Sequence, residues 1–140
     1  MFFRMMKIST KGRYGLTIMI ALAKGGELKP MSLKKIAQLY DLSEHYLEQL
    51  IAPLRNGGLV KSVRGAYGGY KLGRPAEEIT AGDIIRLLEG PLVVVEGDNC
   101  DEVTKRKLWD KIQRAVDDVL DSTTLKDLAE EDDTGYMFYI

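Results

Sequence analysis

The sequence contains one cysteine, Cys100, and one histidine, His45. A lone thiol excludes an intramolecular disulfide and fits a reducing compartment. The two residues stand in unlike contexts and no acid pair sits at a suggestive spacing, so neither a metal-ligand set nor a nucleophile with its base can be assembled. The expectation is therefore a protein that is not an enzyme and needs no cofactor or metal. No run approaches the roughly 18 apolar residues of a membrane span. The opening MFFRMMKIS has too short an apolar part for a secretory signal, and Met6 offers a second start; a cytoplasmic protein is expected. There is no Pro/Ser-rich tract, and with 45% apolar residues and seven tyrosines the chain reads as ordered and globular. Its 140 residues suffice for one domain with an appended element.

Net charge is also nearly absent, at −1, but the balance conceals a segregation. Residues 1–75 carry 13 Lys/Arg against 4 Asp/Glu, whereas residues 76–140 carry 7 against 17. A cationic front half suggests a polyanion as partner, and an acidic rear half suggests a different task. Two separately solvated faces would give the same totals.

Along the chain, Thr10 is a candidate cap for a helix to about Lys24, ended by Gly25-Gly26. Ser32 caps a second short helix with an apolar stripe at Leu33, Ile36, Ala37 and Tyr40. After Asp41-Leu42, Ser43 caps a third helix, about Glu44 to Arg55, that buries Tyr46, Leu47, Leu50, Ile51 and Leu54. Two short helices joined by three residues match a helix-turn-helix in length and patterning. Beyond the third helix lie a strand candidate at 59–63, the connection RGAYGG, and a return strand at 70–72. A helix-turn-helix running into a glycine-rich hairpin is the order of a winged helix. The glycines are not a phosphate cradle, which needs them at the mouth of a helix; here they lead into a strand and Pro75.

The rear half restarts at Thr80-Ala81-Gly82-Asp83, a capping-box-like start for a helix that Gly90-Pro91 ends. Residues 92–101 read as a loop. From about Glu102 a longer helix carries Trp109, Ile112, Val116 and Val119 at steps of 3, 4 and 3, widened by Leu108, Ala115 and Leu120. Such a face could cover its own domain, but its two apolar flanks are better explained by a second subunit as well, so Leu108, Trp109, Ile112, Ala115, Val116 and Val119 are the expected homodimer contacts. Thr124 caps a last short helix, the acids at 130–133 are solvated, and the chain closes on an apolar tail. The expected fold is mainly α: a winged helix-turn-helix domain over residues 6–91 with a small two-stranded wing, then a linker, a long dimerisation helix and a C-terminal tail over 92–140.

In this arrangement double-stranded DNA is the expected partner. The third helix leaves His45, Glu48, Gln49 and Arg55 opposite its buried stripe, after the cap Ser43. Gln49 can pair with adenine and Glu48 can accept from cytosine N4. Lys11, Arg13, Tyr14, Arg55 and Lys61 are candidates for phosphate contacts that set register. Arg64 suits the negative potential of a narrow minor groove, and Gly65 and Tyr67 complete the wing tip. A tight turn and ordinary surface charges would look the same.

SxKGRYGL at 9–16, LSEHYLEQL at 42–50, LVKSVRGAYGGYKL at 59–72 and ITAGDIIRLLEGPL at 79–92 together resemble the Rrf-two family of bacterial winged-helix transcription regulators. Some members hold a [2Fe-2S] cluster through three cysteines in the loop before the long helix; that loop here has only Cys100, and His45 lies on the recognition helix, so no cluster is expected. LWDKIQRAVDDVLDSTTLKDLA at 108–129 and the terminal YMFYI are similar to a cluster-free branch of the family. That resemblance implies a dimeric repressor of cysteine-synthesis and sulfur-uptake genes, acting with cysteine synthase (O-acetylserine thiol-lyase) and released by O-acetylserine. Tyr136, Met137, Phe138, Tyr139 and Ile140 are then the candidate contacts to the enzyme, Ile140 presenting its carboxylate to the active-site mouth; a tail folded on its own dimer is the alternative. A module that regulates cysteine synthase without touching DNA is the competing reading, against which the cationic front half counts. Cys100 could also sense oxidants.

Overall fold

The computed structural model describes residues 7–25, 29–95 and 102–136, with side chains followed as far as Asp132. Cys100 and residues 137–140 lie outside the described residues. Among the described residues there are six α-helices and one two-stranded antiparallel sheet, with a 3-10 turn at Ala76–Glu78 that the sequence does not announce.

Helix α1 spans Thr10–Gly25 and buries Ile18, Met19, Ala21 and Leu22. Its cap is Ser9 rather than Thr10: the Ser9 hydroxyl accepts from the Lys11 amide at 3.2 Å and its carbonyl from the Arg13 amide at 3.1 Å. Helix α2 (Leu33–Tyr40) and helix α3 (Glu44–Asn56) begin as expected, with Ser32 accepting from the Lys35 amide at 3.1 Å and Ser43 from the Tyr46 amide at 3.3 Å. Between them Asp41 adopts the left-handed conformation at φ 53°, which a short polar side chain tolerates. On α3, Leu47, Leu50, Ile51 and Leu54 are buried, but Tyr46 is only half-buried because its ring meets another tyrosine at the surface. Pro53 lies inside α3, where it removes the amide that would bond the Gln49 carbonyl.

Strands β1 (Val60–Val63) and β2 (Gly69–Leu72) form the wing, with Val60 opposite Leu72 and Lys61 opposite Lys71. A third element, absent from the sequence reading, joins them to the helices: Met31 and Tyr70 exchange two backbone hydrogen bonds, both 2.8 Å. The approach is close enough that a Cβ on Gly69 would sit 2.7 Å from the Met31 carbonyl, and Gly69 has φ +154°, so a side chain there is excluded by both space and conformation.

Helix α4 (Ala81–Glu89) opens with the full capping box, Thr80 and Asp83 each accepting the other's amide at 3.0 Å. Helix α5 (Val103–Ser122) comes next, then α6 (Leu125–Tyr136), capped by Thr124. Helix α6 is longer than the short helix expected. The acids at 130–133 lie within it, since nothing from Thr124 onward breaks a helix before Gly135, and Asp132 is not simply solvated but pairs with Lys24 of α1 at 2.8 Å. Leu125 is fully buried in the same core as Ile18, Leu47 and Val60, which brings α6 back against the front half. A smaller cluster of Ala81, Ile85, Leu92 and Leu120 joins α4 to α5.

The last turn of helix α4 is fastened to two other helices. Arg86 donates to Asp121 at 2.5 Å and to Asp117 at 3.2 Å on α5. Glu89 accepts from the Ser9 amide at 3.1 Å, the Gly12 amide at 2.9 Å and the Ser9 hydroxyl, all in the first turn of α1. Burial by itself would raise the Glu89 carboxyl, but those hydrogen bonds and the charge of Lys11 outweigh it and hold the group below its ordinary value. A carboxylate depressed by folding contributes stability above its unfolded pKa, and the contribution is lost as pH falls through the folded pKa. Glu89→Gln is expected to cost about 1–2 kcal/mol at neutral pH and progressively less in acid; urea unfolding at pH 7 and pH 3 checks this, and an equal loss at both would refute it.

Candidate nucleic-acid interface

The apolar stripe of α3 fixes what its other side presents. His45, Glu48, Gln49 and Arg55 are exposed, and Ser43 is exposed at the cap. His45 and Gln49, four residues apart, bring their Nε2 atoms to 3.5 Å, so the two polar groups act as neighbours on one helical face. On α1, Lys11 and Arg13 are exposed and Tyr14 is half-buried. Tyr14 and Tyr46 stack edge to face, centroids 5.5 Å apart and planes at 83°, which joins the first turn of α1 to the first turn of α3.

In the wing, Lys61, Arg64, Gly65 and Tyr67 are all exposed, Tyr67 to 93%. The Gly68 amide donates to the Gly65 carbonyl at 3.0 Å, and Gly65 has φ +116°, so the connection closes as a tight turn that carries Arg64 outward. The strand register adds a residue that sequence reasoning missed. Lys71 stands directly opposite Lys61, hence on the same side of the ribbon. Like charges facing each other across strands destabilise a sheet, and a phosphate between them would remove that cost. Counting outward from RGAYGG would have set Lys61 against Leu72; the pair appears only because Gly69 belongs to β2, which shortens the connection to residues 64–68. A groove between the start of α2, α3 and β2 collects Lys34, Glu48, Arg55 and Tyr70, so Glu48 and Arg55 share a concave surface with the wing.

The dimer candidates divide. Ile112, Ala115, Val116 and Val119 line one apolar groove together with Ile8, Leu92 and Leu120. Leu108, 49% exposed, and Trp109, half-buried, do not line it; they lie nearer the start of α5. Of the proposed tail contacts, Tyr136 is the last residue of α6, its side chain outside the described part, and Met137, Phe138, Tyr139 and Ile140 lie outside the described residues altogether. No helix among the described residues is long and apolar enough to cross a membrane.

A helix-turn-helix whose second helix presents polar side chains beside a cationic two-stranded ribbon is the architecture of a winged-helix, DNA-binding transcription regulator. Residues 8–131 match the Rrf2 family, described as iron-dependent transcriptional regulators, and the chain belongs to that family. It is 65% identical over 138 residues to the HTH-type transcriptional regulator CymR of Bacillus subtilis, an alignment covering 96% of this chain and all of that one. The solved structure of CymR, described as the global cysteine regulator of B. subtilis, has 66% identity and a TM-score of 0.84, covering 89% of this chain and 97% of that one. The Staphylococcus aureus CymR structure has 60% identity and a TM-score of 0.75, covering 87% and 97%. The iron in the family description does not suit this donor set. A cysteine-ligated cluster needs several thiolates, whereas the sequence has one, Cys100, and its one histidine, His45, is exposed on α3; among the described residues no group of three or more His, Cys, Asp or Glu is placed to hold a metal ion.

Proposed function

We propose that this protein is a cytoplasmic, homodimeric repressor of cysteine and sulfur metabolism genes that acts with cysteine synthase and responds to O-acetylserine. The observation that carries the DNA-binding part is the wing register, which sets two lysines against each other beside a polar helix face. Gln49 and Glu48, with His45 beside them, read base edges in the major groove. Lys11, Arg13, Tyr14, Arg55 and Lys61 hold phosphates, Ser43 fixes the start of the reading helix, and Arg64 enters the minor groove on the turn made by Gly65 and Tyr67. The apolar groove on α5 takes a second copy of the chain, which presents two such surfaces to successive half-sites. The likeness to CymR, named a global cysteine regulator, supports cysteine metabolism as the regulon.

The tail, Tyr136 to Ile140, supplies the link to metabolism. Its terminal carboxylate mimics the substrate carboxylate of cysteine synthase, so O-acetylserine competes for the same pocket, loosens the complex and relieves repression. Fluorescence anisotropy on DNA from upstream of sulfur-metabolism genes, with and without enzyme and O-acetylserine, tests the whole scheme. Steeply salt-dependent binding is expected, as bound lysines and arginines release counterions. Removing residues 139–140 is expected to abolish the calorimetric signal with cysteine synthase while sparing DNA binding. Unchanged heat would refute the tail mechanism. Enzyme binding without any DNA affinity would favour a pure interaction module.

A further inference from the structure

We propose that Glu89 is a positioning residue for DNA binding, holding the first turn of α1 so that Lys11 and Arg13 meet phosphates in register with α3. The proposal rests on the DNA-binding reading above. One carboxylate collects the Ser9 amide at 3.1 Å, the Gly12 amide at 2.9 Å and the Ser9 hydroxyl, and three donors from a single turn fix both its position and its rotation. That turn carries exposed Lys11 and Arg13 and continues into Tyr14, whose ring rests on Tyr46 of α3.

The spacing between the two helices leaves little slack. A Cβ on Gly12 would lie 3.1 Å from the Glu89 side chain, and one on Gly15 would lie 2.0 Å from Leu88, so α1 rides directly on the end of α4. One turn earlier on α4, Arg86 is held by Asp117 and Asp121 of α5. Helix α4 is thus a strut between the helix that pairs two copies and the turn that touches DNA. Because Glu89 already occupies the positive end of α1 and takes the Ser9 and Gly12 amides, while the Ser9 hydroxyl takes that of Lys11, phosphate contact there rests mainly on side chains, whose reach depends on where the strut holds them.

The test compares the full-length chain with Glu89→Gln, Lys11→Ala and the double variant, measuring operator affinity by anisotropy across a salt series well below the unfolding temperature. Glu89→Gln is expected to weaken binding about tenfold, the loss of one charge-assisted set of hydrogen bonds. The slope of log affinity against log salt should fall by about 1 for each subunit bound, and the two substitutions should combine non-additively. A protein-wide loss of stability would not change the slope. An unchanged slope, additive effects, or tighter binding from mere removal of a negative charge near phosphates would overturn the proposal. Should Glu89→Gln fail to fold, Ser9→Ala, which removes the hydroxyl and keeps both amide bonds to Glu89, carries the same measurements with a smaller expected loss. Wild-type protein that does not bind DNA would instead remove the reading on which the proposal stands.

Discussion

A chain carrying aspartate at both Ala115 and Val119 is expected to elute as a folded monomer and to bind operator DNA about 10²- to 10⁴-fold more weakly than the parent, the range set by losing a linked second binding site. Both residues line the apolar groove of α5, and both are exposed in the protomer, Val119 to 64%. An aspartate at either position is therefore hydrated in the single chain and costs the fold little. Paired across a two-fold axis, the same carboxylates would face one another without water, and burying unpaired charge costs several kcal/mol per ion. Monomers can then engage only one half-site at a time. Light scattering after size exclusion measures the mass, and anisotropy measures the affinity. The variant Val119→Ala, which keeps the groove apolar, should remain a dimer. A double-aspartate chain that still pairs and still binds at full strength would place the subunit contact elsewhere.

Replacing Gln49 with alanine is expected to weaken binding to the preferred operator by about 2–6 kcal/mol. A bidentate amide–adenine pair is worth about 1–3 kcal/mol, and a dimer makes the contact twice. Discrimination at that base pair should collapse, while the salt slope stays as it was, because no phosphate contact is removed. His45 stands beside Gln49, their Nε2 atoms 3.5 Å apart, so the amide has a neighbour that orients it before it meets a base. Anisotropy on the operator and on its single-base variants resolves the two effects. An equal loss on every sequence, accompanied by a shallower salt slope, would reassign Gln49 to the sugar–phosphate backbone.

The features that sequence reasoning recovered are those whose cause is local. Ser32, Ser43 and Thr80 with Asp83 each bond an amide three residues away, so their patterns are complete within one turn. The exposed side of α3 is the complement of an apolar stripe and comes from periodicity alone. The misses are long-range. Ser9 displaces Thr10 as the cap of α1 partly because Glu89, 80 residues later, binds it. Met31 is one residue with no alternation around it, so nothing local signals its bridge to Tyr70. Tyr46 looks like a core residue on a helical wheel, and only packing against Tyr14 shows why it remains half-exposed. At the candidate interface, the residue types were readable one by one; the pairing of Lys61 with Lys71 was not, since it depends on Gly69 joining β2, and the seating of α1 on α4 required the folded chain.

The bridge between Met31 and Tyr70 also sets the smallest portable reading head. Its two hydrogen bonds tie the wing to the residue just ahead of Ser32 and α2, so a chimera that transplants only residues 60–72 sets one protein's wing against another's residue 31, and the clasp no longer closes between partners that fit. Exchanging operator preference between relatives therefore calls for moving residues 31–72 as one cassette, with Gly69 retained so that the clasp can close.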